Sequence, residues 1–242
     1  KPSTARRGQP KQVLEKHKNA VKAFGIVKLK IDKLQVWSGD SGGRIHAWRA
    51  DNTSIKIDAR EFKHRKGKRL VGEGYDVESI QFVHQQFKTH QVWIGSRNRI
   101  YVFDATEMAL LFYWEAHDGP VSYMISMGHN VWSCSGKAIK IWDTTLATRI
   151  KKYALDKRLP LQQLMGTGKG IKIMVLASSL QFRHVWCAAP GESDITIWES
   201  QDFKSIQTLT EHKHKAHLVV PCKAGTVCTI DKSNTAICWN YV

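Results

Sequence analysis

The sequence predicts an all-β chain of small repeated sheets arranged as a β-propeller, with at least five blades present. The main observation is a phrase that recurs five times: an apolar–Trp step, a short polar turn, then an alternating strand closing on an aromatic. It reads Val36-Trp37 to Trp48, Val92-Trp93 to Phe103, Val131-Trp132 to Trp142, Val185-Trp186 to Trp198, and Val227-Cys228 to Trp239. A second observation is the period. Successive closing aromatics are 55, 39, 56 and 41 residues apart, and two of these intervals match the roughly 40–45 residues of one four-stranded blade. A unit of this size cannot bury its faces alone, so neighbours must supply the core. Nine Trp in 242 residues suit that packing, because a buried indole fills volume and its N–H seeks an acceptor.

Taken in order, residues 1–11 are basic, polar and interrupted by Pro, and read as a linker or arm. Residues 12–242 read as the propeller. Ala20–Val27 and Leu34–Ser38 are strand candidates, Asp40-Ser41-Gly42-Gly43 is a turn, and Arg44–Trp48 alternates as a half-buried strand does. The two long intervals each carry about 15 extra residues, and insertions in repeat proteins gather in loops on one face. One surplus holds Arg60–Arg69; the other lies around Asp156–Pro160 and Gly166–Gly170. Propellers hold between about four and eight blades. Five phrases fit either an arc of a larger, seven-bladed ring or a ring closed as five by the N-terminal β segment, and the larger ring is the expectation.

A further mark precedes the first strand of three repeats. His17, His117 and His214 each stand four residues before an aliphatic: Val21, Val121 and Leu218. With these His residues and the closing Ile141-Trp142-Asp143, Ile197-Trp198-Glu199 and Val102-Phe103-Asp104, the chain resembles the WD40 repeat family. Trp48 and Trp239 keep only the ring. The resemblance implies that an Asp six residues before the closing Trp bonds the opening His. Those positions hold Gly42, Arg97, Gly136, Glu192 and Ser233, so the bonding network is expected to be mostly absent. Trp93-Ile94-Gly95-Ser96, Trp114–Val121 and Val185–Ala189 leading to Ile195–Trp198 are similar to a subgroup at the C-termini of signalling proteins: DENN-domain Rab exchange factors, certain Rho exchange factors, Roco-type kinases and plant-type inositol polyphosphate 5-phosphatases. That likeness implies small-GTPase or kinase signalling components as partners.

No residues carry a recognisable chemistry of their own. His212, His214 and His217 lie among Lys213 and Lys215, a poor setting for neutral imidazole ligands, so a blade-opening loop with one structurally bonded His is expected and no metal. Gly166-Thr167-Gly168-Lys169-Gly170 departs from the G-x-x-x-x-G-K-[S/T] phosphate loop and reads as a hairpin turn between strands. No Ser or Cys sits in a nucleophile elbow, and Asp118 and Asp143 read as turn and blade-closing residues. The expectation is a non-enzyme without cofactor. The five Cys are odd in number and lack a Cys-x-x-Cys pair; they read as buried free thiols, which implies a reducing cytoplasmic or nuclear setting.

The net charge is +16, from 37 Lys and Arg against 21 Asp and Glu. Such an excess points to acidic partners: acidic proteins, an anionic membrane surface or nucleic acid. The surplus loop concentrates it, so Lys63, Arg65, Lys66, Lys68 and Arg69, with the turn residues Arg97 and Arg99, are the candidate contact residues. The functional expectation is an interaction scaffold of a signalling or membrane-trafficking regulator. The alternative is an RNA-contacting subunit of a ribonucleoprotein complex, although most Trp and Phe belong to the repeat core and leave few rings for base stacking.

Overall fold

The Val–Trp step works because successive side chains of a strand point to opposite faces. In the first four repeats the Trp faces the next sheet, and from the second repeat on the Val faces the preceding one. A computed structural model describes residues 16–30, 33–50, 60–61, 77–84, 90–136, 138–144, 162–165, 176–178, 184–188, 193–222 and 226–240. Among them are nineteen strands in five antiparallel sheets and no helix.

The first sheet runs in the order β1 (Val21–Lys30), β2 (Lys33–Asp40), β3 (Ile45–Ala50), β4 (Arg60–Glu61). The second holds β5 (Val77–His84), β6 (His90–Ser96), β7 (Arg99–Asp104) and β8 (Ala109–Glu115). The third holds β9 (Tyr123–Met127), β10 (Asn130–Ser135), β11 (Ala138–Asp143) and β12 (Gln162–Met165). The fourth holds β13 (Leu176–Ser178), β14 (His184–Ala188), β15 (Ile195–Glu199) and β16 (Ser205–Leu209). The fifth has three described strands, β17 (Ala216–Pro221), β18 (Thr226–Asp231) and β19 (Ala236–Asn240). Strand order follows chain order, so each sheet is a meander.

Four core clusters join successive sheets. Trp37 packs with Val92 and Phe103, its ring centroid 5.5 Å from that of Phe103. Trp93 packs with Val131 and Trp142, bridged by Trp114, whose ring lies 5.4 Å from Trp93 and 5.2 Å from Trp142. Trp132 packs with Val185 and Trp198, and Trp186 packs with Val227 and Trp239. The five closing aromatics named from the sequence stand at one register position, each directly opposite the Val of its own repeat. Sheets one and two approach so closely that a Cβ on Gly39 would collide with Val77.

β12 pairs with β11 and β13 with β14, so these two strands belong to different sheets; the Gly166–Gly170 segment, like Asp156–Pro160, lies outside the described residues. One expectation about connections changes, that of the cysteines. Cys134 and Cys187 are buried free thiols and Cys222 is an exposed one, but Cys228 and Cys238 form a disulfide. They face each other directly across β18 and β19, with Cα atoms 4.2 Å apart, just under the usual span of a disulfide. Two of the five cysteines are therefore paired and not free thiols.

Candidate functional site: the histidine rim

In the first, third and fifth blades the opening loop and the turn between the second and third strands meet at one rim, and buried hydrogen bonds tie them together. In the first blade, Trp48 Nε1 donates to Ser38 Oγ at 2.8 Å. Ser38 Oγ lies 2.7 Å from His17 Nε2, and His17 Nδ1 lies 2.9 Å from Asp40 Oδ2. A carboxylate only accepts, so His17 donates through Nδ1, and its Nε2 accepts a hydrogen bond from the Ser38 hydroxyl. The other Asp40 oxygen accepts from the backbone N–H groups of Gly42 and Arg44, each at 2.9 Å. Burial raises the Asp40 pKa, but the bonds from Arg44, His17 and Gly42 outweigh it and leave the carboxyl below its ordinary value.

The fifth blade repeats the arrangement. Trp239 Nε1 donates to Thr229 Oγ1 at 2.8 Å, Thr229 lies 2.7 Å from His212 Nε2, and His212 Nδ1 lies 3.3 Å from Asp231 Oδ2. Asp231 is held at about 2, first by the Ser233 hydroxyl, then by the Thr235 and Ser233 backbone N–H groups and by His212. The third blade keeps a shorter version: Trp142 Nε1 donates to Ser133 Oγ at 2.7 Å, and Ser133 lies 2.8 Å from His117 Nε2. Ser135 stands there where Asp40 and Asp231 stand in the other two, two residues beyond the hydroxyl. Burial, then the charge of Lys140, pushes the His117 imidazole down to about 3.

Two sequence expectations are corrected here. The bonded His of the fifth blade is His212; His214 is exposed. The interval of four holds when counted to Ala216, which begins β17 and is buried, rather than to exposed Leu218. The network, expected to be mostly absent, is complete in two blades and partial in a third. Its Asp is the last residue of the second strand, eight residues before the closing Trp at Asp40 and Asp231.

The remaining blades depart in a consistent way. Where Ser38, Ser133 and Thr229 stand, the second blade has Ile94 and the fourth has Cys187, as the strand registers show. The second blade closes on Phe103, which has no N–H to satisfy. The fourth closes on Trp198, whose buried Nε1 finds no acceptor among the described residues. Acidic residues after the closing aromatic fasten the next turn: Asp104 accepts from the Thr106 and Glu107 N–H groups, and Glu199 from those of Gln201 and Asp202. Asp143 is half-buried and pairs across to Asn130.

The same rim carries exposed cations. Lys16 and Lys18 flank His17, Lys213 and Lys215 follow His212, and Lys232 and Arg97 occupy turns, all exposed. The Lys232 N–H donates to the Lys215 carbonyl, and the Val121 N–H to the Arg97 carbonyl, which fixes these turns against the opening loops. Arg97 has a positive φ of 52°. Arg99 is more committed, with Nη2 2.7 Å from Glu115 Oε1 and its guanidinium 5.8 Å from the Tyr113 ring centre. Exposed carboxylates on the rim are Glu115, Asp118 and Glu211. Lys63, Arg65, Lys66, Lys68 and Arg69 lie outside the described residues, but the strand ends that bracket them, Glu61 and Val77, both sit at this rim. Among the described residues, no group of three or more His, Cys, Asp or Glu side chains is placed to hold a metal ion.

No protein-family model and no curated protein matches the sequence. Solved structures match the fold. The chain is similar to U3-55K, with a TM-score of 0.72 and 13% identity over 95% of this chain and 63% of that one. It is similar to the RRP9 WD40 repeats, with a TM-score of 0.72 and 14% identity over 95% of this chain and 62% of that one. It also resembles the β-propeller domain of Myceliophteria thermophila Cps50 (Swd1), with a TM-score of 0.69 and 11% identity over 93% of this chain and 72% of that one. The chain thus spans less than two thirds of the U3-55K and RRP9 chains. Five meander sheets joined through Val–Trp steps, and these superpositions, give the chain the β-propeller fold of WD40-repeat domains.

Proposed function

We propose that this chain is a non-catalytic interaction scaffold that binds acidic protein or lipid surfaces through the basic histidine rim, as part of an intracellular signalling or trafficking regulator. The observation that carries this reading is the convergence on one rim of Lys16, Lys18, Arg97, Lys213, Lys215 and Lys232. Glu61 and Val77, the strand ends that bracket Lys63–Arg69 in the sequence, lie at that rim too. The His–Asp and His–hydroxyl bonds hold the opening loops in place, so the cations are presented on a fixed frame, which limits the entropy lost on binding. Exposed cations of this kind act through salt-sensitive contacts.

Because the same rim suits nucleic-acid phosphates, RNA is the second reading. Affinity capture of the whole natural protein, with and without nuclease, separates the two. The comparison is between wild type and a variant with Lys63, Arg65, Lys66, Lys68, Arg69, Lys213 and Lys215 changed to Ala. Nuclease-resistant partners or anionic vesicles lost in the variant support the scaffold reading. Partners that disappear with nuclease and show a steep salt dependence favour RNA. An identical set of partners in the variant and wild type removes the rim from both readings.

A further inference from the structure

In four sheets the second-strand Trp and the residue opposite it on the third strand are held by burial. Trp37 faces Ala47, Trp93 faces Val102, Trp132 faces Ile141 and Trp186 faces Ile197, and each of these side chains is at most 1% exposed. The fifth sheet puts Cys228 and Cys238 at the same pair of positions. Cys228 is half-buried, Cys238 is exposed, and the two are bonded to each other. A covalent link does here what packing does in the other four sheets.

The residues that follow the two cysteines extend the reach of that link to the rim. Thr229 follows Cys228 and Trp239 follows Cys238. The Trp239 indole N–H donates to Thr229 Oγ1 at 2.8 Å, and the same hydroxyl lies 2.7 Å from His212 Nε2. His212 leads into Lys213 and Lys215, and the Lys215 carbonyl accepts from the Lys232 N–H at 3.0 Å. The disulfide thus stands one residue from each end of the bond that frames the three exposed lysines of this corner. Trp239 is only half-buried, whereas Trp48 and Trp142 at the same register position are buried, so packing holds its ring less firmly than theirs.

We infer that the Cys228–Cys238 disulfide is a redox switch on the fifth-blade corner of the rim. Oxidised, it holds Trp239 on Thr229 and presents Lys213, Lys215 and Lys232 on a fixed frame; reduced, it releases β19 from β18 at that point and the frame loosens. Exposed disulfides are the labile ones, and the reductant is a dithiol. One of its thiolates attacks the exposed Cys238 Sγ, the bond to Cys228 breaks, and Cys228 leaves as a thiolate that takes up a proton. The second thiol of the reductant then attacks the mixed disulfide, which leaves Cys238 as a thiol and the dithiol oxidised to its own disulfide. What the lysines bind rests on the reading of the rim as a surface for anionic partners; how they are held does not.

The test uses the whole natural protein with Cys222→Ser, which removes the exposed free thiol that could exchange with the bond. Amide hydrogen exchange is compared before and after dithiothreitol, without denaturant. On reduction the Lys232 amide should exchange at least about tenfold faster through local opening. The Ser41 amide, which donates to the Ala20 carbonyl at the matching place of the first blade, should not change, since Trp37 and Ala47 stand there instead of cysteines. Equal Lys232 rates in the two states, a bond that dithiothreitol opens only in denaturant, or equal acceleration at Ser41 overturns the inference. The double variant Cys228→Ala, Cys238→Ala should exchange at Lys232 at the reduced rate and ignore dithiothreitol; if it does not fold, reduction of the intact bond still decides. Vesicles of phosphatidylserine and phosphatidylcholine form the second arm, where the oxidised protein should bind at least about threefold tighter than the reduced one, because its frame is already ordered. Faster exchange at Lys232 with no vesicle binding in either state supports the switch and counts against the lipid reading of the rim. Equal binding in both states overturns the control of the rim by the disulfide.

Discussion

Trp142 donates its indole N–H to Ser133 Oγ at 2.7 Å, and that hydroxyl is also the one that meets His117. One small side chain thereby satisfies a buried indole and a buried imidazole together. Removing it should cost more than one hydrogen bond, because two groups are left unpaired. Ser133→Ala, and Thr229→Val in the fifth blade, should each destabilise the fold by about 1–3 kcal/mol. Denaturant unfolding measures this, and a loss below about 0.5 kcal/mol would show that other groups or water take over the bonds.

The opposite change is expected in the fourth blade. Cys187 stands at the hydroxyl position, and Trp198 Nε1 lacks an acceptor. Cys187→Ser should supply one and stabilise by roughly 0.5–1.5 kcal/mol, the net value of a typical hydrogen bond. A loss of stability would mean that the thiol's apolar contacts at the interface of sheets three and four outweigh the gain.

The pH dependence follows from His117. Its imidazole is pushed from 6.5 down to about 3, so the unfolded chain binds a proton well before the folded chain does. Its contribution to stability is complete above 6.5 and is lost as pH falls through that window towards 3. Asp231, held at about 2 from an ordinary 3.8, adds a second loss at lower pH, beginning near its ordinary value. Unfolding midpoints should fall on acidification from about pH 7 to about pH 4.5, and His117→Gln should flatten that slope; an unchanged slope counts against the assignment.

Gly39→Ala should weaken the junction of the first two sheets, since the added methyl meets the branched Val77 side chain. Overpacking of this kind costs about 1–3 kcal/mol. The double variant with Val77→Ala should recover part of the loss. If Gly39→Ala is neutral in thermal unfolding, the two sheets are not in such close approach.

Thiol labelling tests the cysteine assignment. In the folded protein only Cys222 is exposed as a free thiol, so an alkylating reagent should add once. Denaturation should release Cys134 and Cys187, and burial, which drives the Cys187 thiol well above its ordinary pKa, should make it unreactive until then. Cys228 and Cys238 should label only after reduction. Labelling of either one without reductant would remove the disulfide.

The repeat itself was legible from residues alone. A period of two places Val and Trp on opposite faces wherever the strand lies, so five phrases announce five sheets and a core between them. The Phe103 blade shows the same economy, since a closing ring without an N–H needs no hydroxyl opposite it. Other features depended on distance in the chain. Which of His212, His214 and His217 bonds Asp231 is decided by where β17 begins, and buried Ala216 sets that start. The Asp was missed because its carboxylate serves a turn and a His 23 or 19 residues earlier, a relation that spacing from the closing Trp does not reveal. Cys228 and Cys238 looked like independent thiols until strand register set them side by side. Phe24 reads as one more strand residue in the sequence, and only the strand registers show that it is exposed at the position where Ile80, Met124 and Val219 are buried in other sheets. Local alternation determines which side chains share a face; which faces meet is settled by packing between segments far apart in the chain.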